Sequence, residues 1–490
     1  HGVLFRGGAE GEIRQKLIEK NQIDTVIGLP SNLFSNTGIP VCIIILKKNR
    51  DLNEPVLFID ASHNFIKVGK QNVLQEKDIA KIVDTYSNRT EEDGYSHLAS
   101  RKELISNEFN MNIPRYVTAI DNEIAHDVDA HLYGGIPKEN IEDLKILNQL
   151  VPDILEQAFT EKRPSYLALN KTIDEFSDEV LSSTVVQETM THVKEMVEAY
   201  LDTYWTQLHE LGKERSSRQV KESMLADIKH QLSAFEQLDS YDGYQMIAEI
   251  WANSLEHDSE FIEQLGFYQA GRTREPNMVK KGKKKEPVQD GWNGVVVPNS
   301  LIASEFYAKE LAEIEAFKLR ITEIESEMSE LVENAKVEDS DEYNALFDSL
   351  KKNEEGEAQD SFEGKSIKDS MKEAEKGSLE YVLLKKVDDL TKEKSAVNKK
   401  IKTKEQELKE IVADRILQLT DEEVDQLLYK KWFGSVIEKV EDLVKSPLKA
   451  EIAVIDELNK RYSETLDSLD DEIAKLEKEL EAMMKELVVL

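Results

Sequence analysis

The chain has 490 residues, enough for two or more domains with ordinary cores. Its 97 acidic against 63 basic residues give a net charge of −34. That excludes a protein gripping nucleic acid over its whole surface, because phosphate neutralisation needs clustered Lys and Arg; it leaves room for a subunit that touches DNA at one small site while a partner does the gripping. One cysteine, Cys42, excludes an internal disulfide framework. No apolar run approaches the roughly 18 residues of a membrane span, and with no signal peptide visible the chain reads as cytoplasmic and soluble. It opens on His1 within a strand-and-turn pattern, which reads as a fragment.

Residues 1–117 carry the β-type runs Thr25–Leu29, Val41–Leu46 and Val56–Ile59, with Gly and Pro punctuation and a helical stretch at Glu10–Lys20. Strands alternating with helices predict part of an α/β layer with a mostly parallel sheet. Val41–Leu46 is apolar at every position, as expected of a strand covered on both faces. From 118 to 275 the pattern is helical, with apolar residues three and four apart in Val185–Leu211 and Gln219–Leu238. Residues 276–300 read as an exposed Lys-rich linker, and Lys280–Lys285 as a candidate for passing near DNA.

Residues 301–490 predict long helices. Ile314, Phe317, Ile321, Ile324, Met328 and Leu331 alternate by three and four, as do Leu466, Leu469, Ile473, Leu476, Leu480, Met483, Leu487 and Leu490. A third set runs Leu383, Val387, Leu390, Val397, Ile401, Leu408 and Ile411. Such heptads predict coiled coil, as an intramolecular antiparallel pair or as a docking surface for a partner helix. The acidic stretch Val337–Gly377 between two of these helices predicts a loop or a partly disordered excursion.

Several constellations carry no chemistry on inspection. His126 and His131 flank Asp127 and Asp129, but a five-residue spacing fits no common helical ligand pair, and no metal is expected. His192 and His209 sit in helical patterns. Gly7 and Gly8 open a helix, where the turn geometry explains them as well as phosphate binding does. The Gly-, Pro- and Asn-rich loop Gly28–Pro40 lies between two strands at a sheet edge, where sites are usually built.

The strings HGVLFRGGAEGEIRQKLIE, IDTVIGLPSNLFSNTGIPVCIIILKK, VLFIDAS and NMNIPRYV resemble the second half of the catalytic domain in modification subunits of type I restriction-modification systems. LLYKKWFGSVIEKV and the last heptads resemble the C-terminal arm of longer members. The resemblance implies an α/β fold, the C-terminal part of a Rossmann-like methyltransferase domain, followed by a mostly α-helical region with long coiled-coil helices. It implies methyl transfer from S-adenosylmethionine to N6 of DNA adenine, and as partners DNA, a specificity subunit that chooses the sequence, a restriction subunit and a second modification subunit.

The family's glycine-rich cofactor loop and its Asn-Pro-Pro-aromatic motif have no counterpart in these residues, so no catalytic or cofactor-binding residue is assigned, and the chain alone is expected to be inactive. What remains is one wall of the pocket for a flipped adenine. Phe34 is the candidate for that wall, against the alternative that it tucks the loop into the core. Asn32, Ser35 and Asn36 are candidates for DNA contact, and Asp60 for capping the turn at Ser62 and Asn64. A coiled-coil scaffold, or an inactive remnant that still binds the specificity subunit, is the alternative function.

Overall fold

The computed structural model describes residues 2–35, 37–118, 124–280, 286–353 and 356–488, and of residues 467, 471 and 485–488 the backbone only. The chain divides into two compact units, one comprising residues 1–208, 215–256 and 433–490, the other residues 209–214 and 257–432.

The first unit opens with helix α1 (Gly8–Glu19), strands β1 (Ile23–Leu29), β2 (Val41–Leu46) and β3 (Val56–Asp60), and a small hairpin of β4 (Ile66–Val68) and β5 (Gln71–Val73). Helix α2 (Glu76–Asn88), β6 (Ser96–Ala99) and α3 (Arg101–Ser106) follow. The sheet order is β2-β1-β3-β6. Only β1–β3 pairs in parallel; β1–β2 and β3–β6 are antiparallel, so the sheet is mixed rather than mostly parallel. The connections explain it: the stretches from β1 to β2 and from β3 to β6 return antiparallel, whereas β1 to β3 is the crossover.

Residues alternate across the sheet, as the two-residue period of a strand requires. Val26, Val56 and Phe58 face Ile18 of α1 and Leu104 of α3. Ile27, Leu29, Leu57 and Ile59 face the other way, toward Ile82 and Tyr86 of α2. Every residue of β1 and of β3 is buried. The expectation that β2 is covered on both faces fails: it pairs with β1 along one side, and Ile43, Ile44 and Leu46 are exposed. Beside it, Val3, Ile13, Leu17, Ile44 and Leu46 line an apolar cavity of about 290 Å³.

Helix α4 (Val128–Tyr133) leads to a three-stranded sheet of β7 (Ile136–Pro137), β8 (Phe159–Arg163) and β9 (Tyr166–Leu169), ordered β7-β9-β8. Helices α5 (Thr184–His209), α6 (Ser217–Leu232) and α7 (Ser240–Ile250) follow, so residues 118–275 hold this small sheet as well as the helices read from the sequence. Helix α7 is tied to α2 by Lys77–Asp242 at 2.7 Å and by Tyr241 Oη donating to Asp84 at 2.9 Å.

In the second unit the Lys-rich stretch is flanked by paired strands, β10 (Arg274–Val279) and β11 (Val288–Gly294), in antiparallel register. The range read as a linker thus holds parts of two paired strands, while Lys281–Lys285 lie outside the described residues. The long helices α8 (Ala308–Asn334) and α9 (Leu379–Ile416) pair antiparallel, with Lys318–Glu405, Lys404–Glu313, Lys394–Glu325 and Arg320–Glu393 as cross-helix ion pairs.

The expectation of a loop or disorder at Val337–Gly377 is overturned. A short helix (Asp341–Leu346), strands β12 (Leu350–Lys352) and β13 (Ala358–Phe362) and a helix at Gly364–Glu373 fold onto the ends of α8 and α9. Leu346, Leu350 and Ile367 join Leu384 and Val387 in one buried cluster, and the acidic residues occupy its outer surface.

Helix α10 (Asp421–Lys439) carries the chain back to the first unit, where α11 (Asp442–Arg461) and α12 (Leu466–Val488) complete it. The Glu451 carboxylate of α11 accepts the amides of Ile146 and Leu147 at 3.0 and 2.8 Å, satisfying donors at a helix start.

Candidate functional site

The parallel pair β1–β3 brings two strand ends together, with Gly28 in register with Asp60. Loops after the carboxyl ends of parallel strands are where open α/β sheets build their sites. Gly28 lies close under Ile113: a Cβ there would stand 2.7 Å from Ile113 Cδ1, so that side chain would have to shift. The Ala61 amide donates to the Gly28 carbonyl at 3.0 Å. Asp60 is buried and its Oδ1 accepts the Ser62 amide at 3.1 Å, the capping role read from the sequence.

The β1–β2 loop carries the other candidates. Asn32 holds a left-handed backbone, φ 52°, which asparagine tolerates better than most residues. Its carbonyl accepts the Asn72 amide at 3.1 Å, and Asn72 Nδ2 donates to the Ser31 carbonyl at 2.8 Å. Asn72 is 6% exposed, so a buried amide on β5 clamps Ser31 and Asn32 from forty residues away. Sequence reading missed Asn72, because nothing local distinguishes it from any strand asparagine.

Phe34 is 58% exposed, so it does not tuck the loop into the core. Ser35 and Ile39 are exposed beside it, and Ile39 is among the most exposed apolar residues described. Asn36 lies outside the described residues. The structure brings Asn32, Phe34 and Ser35 onto one loop and sets Asp60 at the neighbouring strand end, below the surface.

The electrostatics of this edge differ from the rest of the acidic chain. No charged residue stands between Asp24 and Lys47, and no acidic residue between Asp60 and Glu76. The latter stretch is the β4–β5 hairpin, whose Lys67 and Lys70 are exposed and in no ion pair among the described residues. An uncharged loop bearing an exposed ring and amides thus adjoins a hairpin bearing two open cations. That arrangement suits a flat, hydrogen-bonding ligand carrying phosphates.

Other candidates resolve into structure. Asp127 caps α4 by accepting the Ala130 amide at 2.7 Å and also accepts Tyr166 Oη at 3.1 Å. His126 Nδ1 and His131 Nε2 are 2.9 Å apart, their rings stacked. Among the described residues no group of three or more His, Cys, Asp or Glu is placed to hold a metal ion. No helix among them is long and apolar enough to cross a membrane.

Residues 1–124, which hold the mixed sheet and both loops, match the N-6 DNA methylase family model. The methylase subunit of type I restriction enzyme MpnII of Mycoplasma pneumoniae is 35% identical over 156 residues, 32% of this chain and 26% of that protein. The MjaVII methylase subunit of Methanocaldococcus jannaschii is 34% identical over 161 residues, again 32% and 26%. A solved methyltransferase subunit of the type I restriction-modification system of Streptococcus thermophilus is 54% identical, covering 24% of this chain and 25% of that one with a TM-score of 0.24. The match thus spans about a quarter of the length of these relatives. The α/β part of this chain is homologous to type I restriction-modification methylase subunits.

Proposed function

We propose that this chain serves as the modification subunit of a type I restriction-modification complex, in S-adenosylmethionine-dependent methylation of DNA adenine at N6, and supplies the DNA-facing wall of the catalytic domain. The observation that carries this reading is the N-6 DNA methylase match over residues 1–124, the stretch that contains the uncharged loop and the basic hairpin. Chemistry on a base demands that it leave the stack and be held between flat or apolar groups. Exposed Phe34 offers such a face, and Asn32 a hydrogen-bonding amide next to it. The exposed Lys67 and Lys70 neutralise flanking phosphates in this reading. In this reading a specificity subunit reads the bases and supplies most phosphate contacts, alongside a second modification subunit and a restriction subunit; a partner's grip reconciles DNA work with a charge of −34.

The described residues offer no recognisable cradle for the methyl donor. Among the described residues no strand runs into a Gly-x-Gly turn, and Gly7 and Gly8 follow a 3-10 turn, Gly2–Leu4, instead of a strand. No Asn-Pro-Pro or Asp-Pro-Pro precedes an aromatic anywhere in the sequence. No step through the donor is therefore assigned to these residues, and by itself the chain is expected not to methylate DNA. The same observation favours the second reading, a subunit that binds its partners without catalysing.

Methyl transfer from labelled S-adenosylmethionine to an adenine-containing duplex separates the two. The chain joined to a methylase segment bearing a Gly-x-Gly turn and an Asn-Pro-Pro-Phe motif, with a specificity subunit present, is expected to form N6-methyladenine. Phe34→Ala should lower that activity by about tenfold or more, the scale of one lost base-stacking contact. Methylation by the unjoined chain, or transfer to cytosine, would overturn the reading.

A further inference from the structure

The ring of Phe34 and the cations of Lys67 and Lys70 lie on different elements of the sheet edge, and one side chain joins them. Strands β4 and β5 are connected by the two-residue turn Gly69-Lys70, with Val68 opposite Gln71. Gly69 takes φ 63° at the first central position, where such a turn favours glycine. One step back along the ladder, Lys67 stands directly opposite Asn72. The Asn72 backbone amide points away from β4 and donates to the Asn32 carbonyl, while Nδ2 donates to the Ser31 carbonyl at 2.8 Å. Among the described residues these are the two hydrogen bonds between hairpin and loop, and both come from Asn72.

The hairpin is the fixed member of this pair. It enters from the turn that Asp60 caps at Ser62. It leaves into α2, whose start is closed by the Gln75 amide donating to Asp78 Oδ2 at 2.8 Å. Leu74, just after β5, packs on the cluster of Ile27, Leu29 and Leu57, as does Leu33 at the base of the loop. The loop leans on this post. Asn32 keeps a left-handed backbone, which a residue other than glycine holds only where its surroundings impose it. The two bonds from Asn72 impose it, one on Asn32 itself and one on the residue before. Phe34 follows two residues later, largely exposed.

We infer that Asn72 is a positioning residue for base capture. By holding the Ser31 and Asn32 carbonyls on the hairpin, it fixes the span between the cations that take a DNA phosphate and the ring that takes the flipped adenine. The inference rests on the proposed function and states how that site is set. Buried Asn72 acts on the DNA through the loop alone, so without its side chain the phosphate is still gripped while the ring is misplaced. A displacement of about 1 Å at a reacting group can cost about a hundredfold in rate.

The test uses the full chain joined to the methylase segment and assembled with the specificity subunit, and follows transfer from labelled S-adenosylmethionine over a range of duplex concentrations. Asn72→Ala is expected to lower kcat by about ten- to a hundredfold, while KM for DNA and the salt slope of binding stay within about twofold. Because Asn72 acts through the loop, combining Asn72→Ala with Phe34→Ala should lower kcat little further than either alone. Asn72→Asp, which keeps the size and removes the Nδ2 donor, should match Asn72→Ala, with the amide protection of β1 and β3 retained in both. An undiminished kcat, losses that multiply with those of Phe34→Ala, or a salt slope lost together with kcat would each overturn the inference. Loss of β1 and β3 protection in both variants would do so too, by assigning Asn72 to the fold itself. No N6-methyladenine from the unsubstituted assembly would overturn the methylase reading and this inference with it; methylation there, with any of the other contrary results, sinks the inference alone.

Discussion

Asp24 shows how a single residue holds the front of the sheet together. Its carboxylate is 3% exposed and meets Lys47 and Arg50 at 3.0 Å and Arg89 at 3.3 Å. Arg50 also donates to the Pro55 carbonyl at 2.6 Å, fixing the chain that feeds β3. Burial works against the carboxylate's charge, but Lys47, Arg89 and Arg50 outweigh it and hold its pKa below the usual range. Asp24→Asn would leave the buried Arg50 guanidinium with only the half-exposed Glu54 carboxylate at 3.3 Å, at a cost of about 3 kcal/mol in urea unfolding. Because the folded pKa is depressed, this contribution is present above about pH 4 and is lost as pH falls through the folded value. The gap between wild type and variant should therefore narrow in acid; a gap unchanged down to low pH would refute the ion-pair account. Asn72→Ala makes a contrasting case, removing one buried donor at about 1–3 kcal/mol while releasing the loop that presents Phe34. Neither role was legible in the sequence, since each rests on a partner tens of residues away, whereas Phe34 and Asn32 were legible as members of a loop of a recognisable kind.

Elements were legible where one local signal governed them. The apolar runs at β1, β2 and β3 and the three-four spacing of α8, α9 and α12 came through, because burial on a strand or a helix face leaves a short period in the sequence. The hairpin β10–β11 was hidden by Pro276 and the lysines, whose composition reads as loop although the flanks pair. The insert after α8 was hidden for a different reason: Leu346, Leu350 and Ile367 are too sparse to form a period, and only the ends of α8 and α9 make them a core. Leu384→Ala in that cluster should cost about 2–5 kcal/mol and expose the insert to proteolysis before the α8–α9 pair melts. An insert as resistant as before would mean that it holds itself. The β6–α3 junction makes a pH-dependent prediction. His97 Nδ1 stands 2.5 Å from Glu91 and Nε2 3.1 Å from Glu103. Burial disfavours the imidazolium, yet Glu103 and Glu91 hold its pKa above the ordinary histidine value. A raised folded pKa gives stability that is full below about pH 6.5 and is lost as pH rises through the folded value. Amide protection in residues 91–103, taken relative to the intrinsic base-catalysed exchange rate at each pH, should therefore fall above neutrality, and His97→Gln should remove that fall while leaving the protection of the sheet unchanged.

At the scale of the whole molecule the question is how a chain of net charge −34 works on a polyanion. Many of its basic residues are engaged with acids: on the α8–α9 pair Lys318, Lys394 and Lys404 all meet glutamates. The β4–β5 hairpin differs, with Lys67 and Lys70 exposed in a stretch that has no acidic residue. If these two are the phosphate contacts, the logarithm of DNA affinity should fall against the logarithm of salt with a slope of about −2, at roughly 0.9 per neutralised phosphate. Lys67→Ala with Lys70→Ala should flatten the slope toward zero and weaken binding equally on every sequence, because phosphate contacts carry no base information. Phe34→Ala should leave the slope alone and weaken binding chiefly to duplexes whose target adenine is mispaired and easily flipped. A slope several units steeper that survives the double substitution would move the DNA contact away from the sheet edge, with the Lys280–Lys285 connection of the β10–β11 hairpin as the next place to substitute.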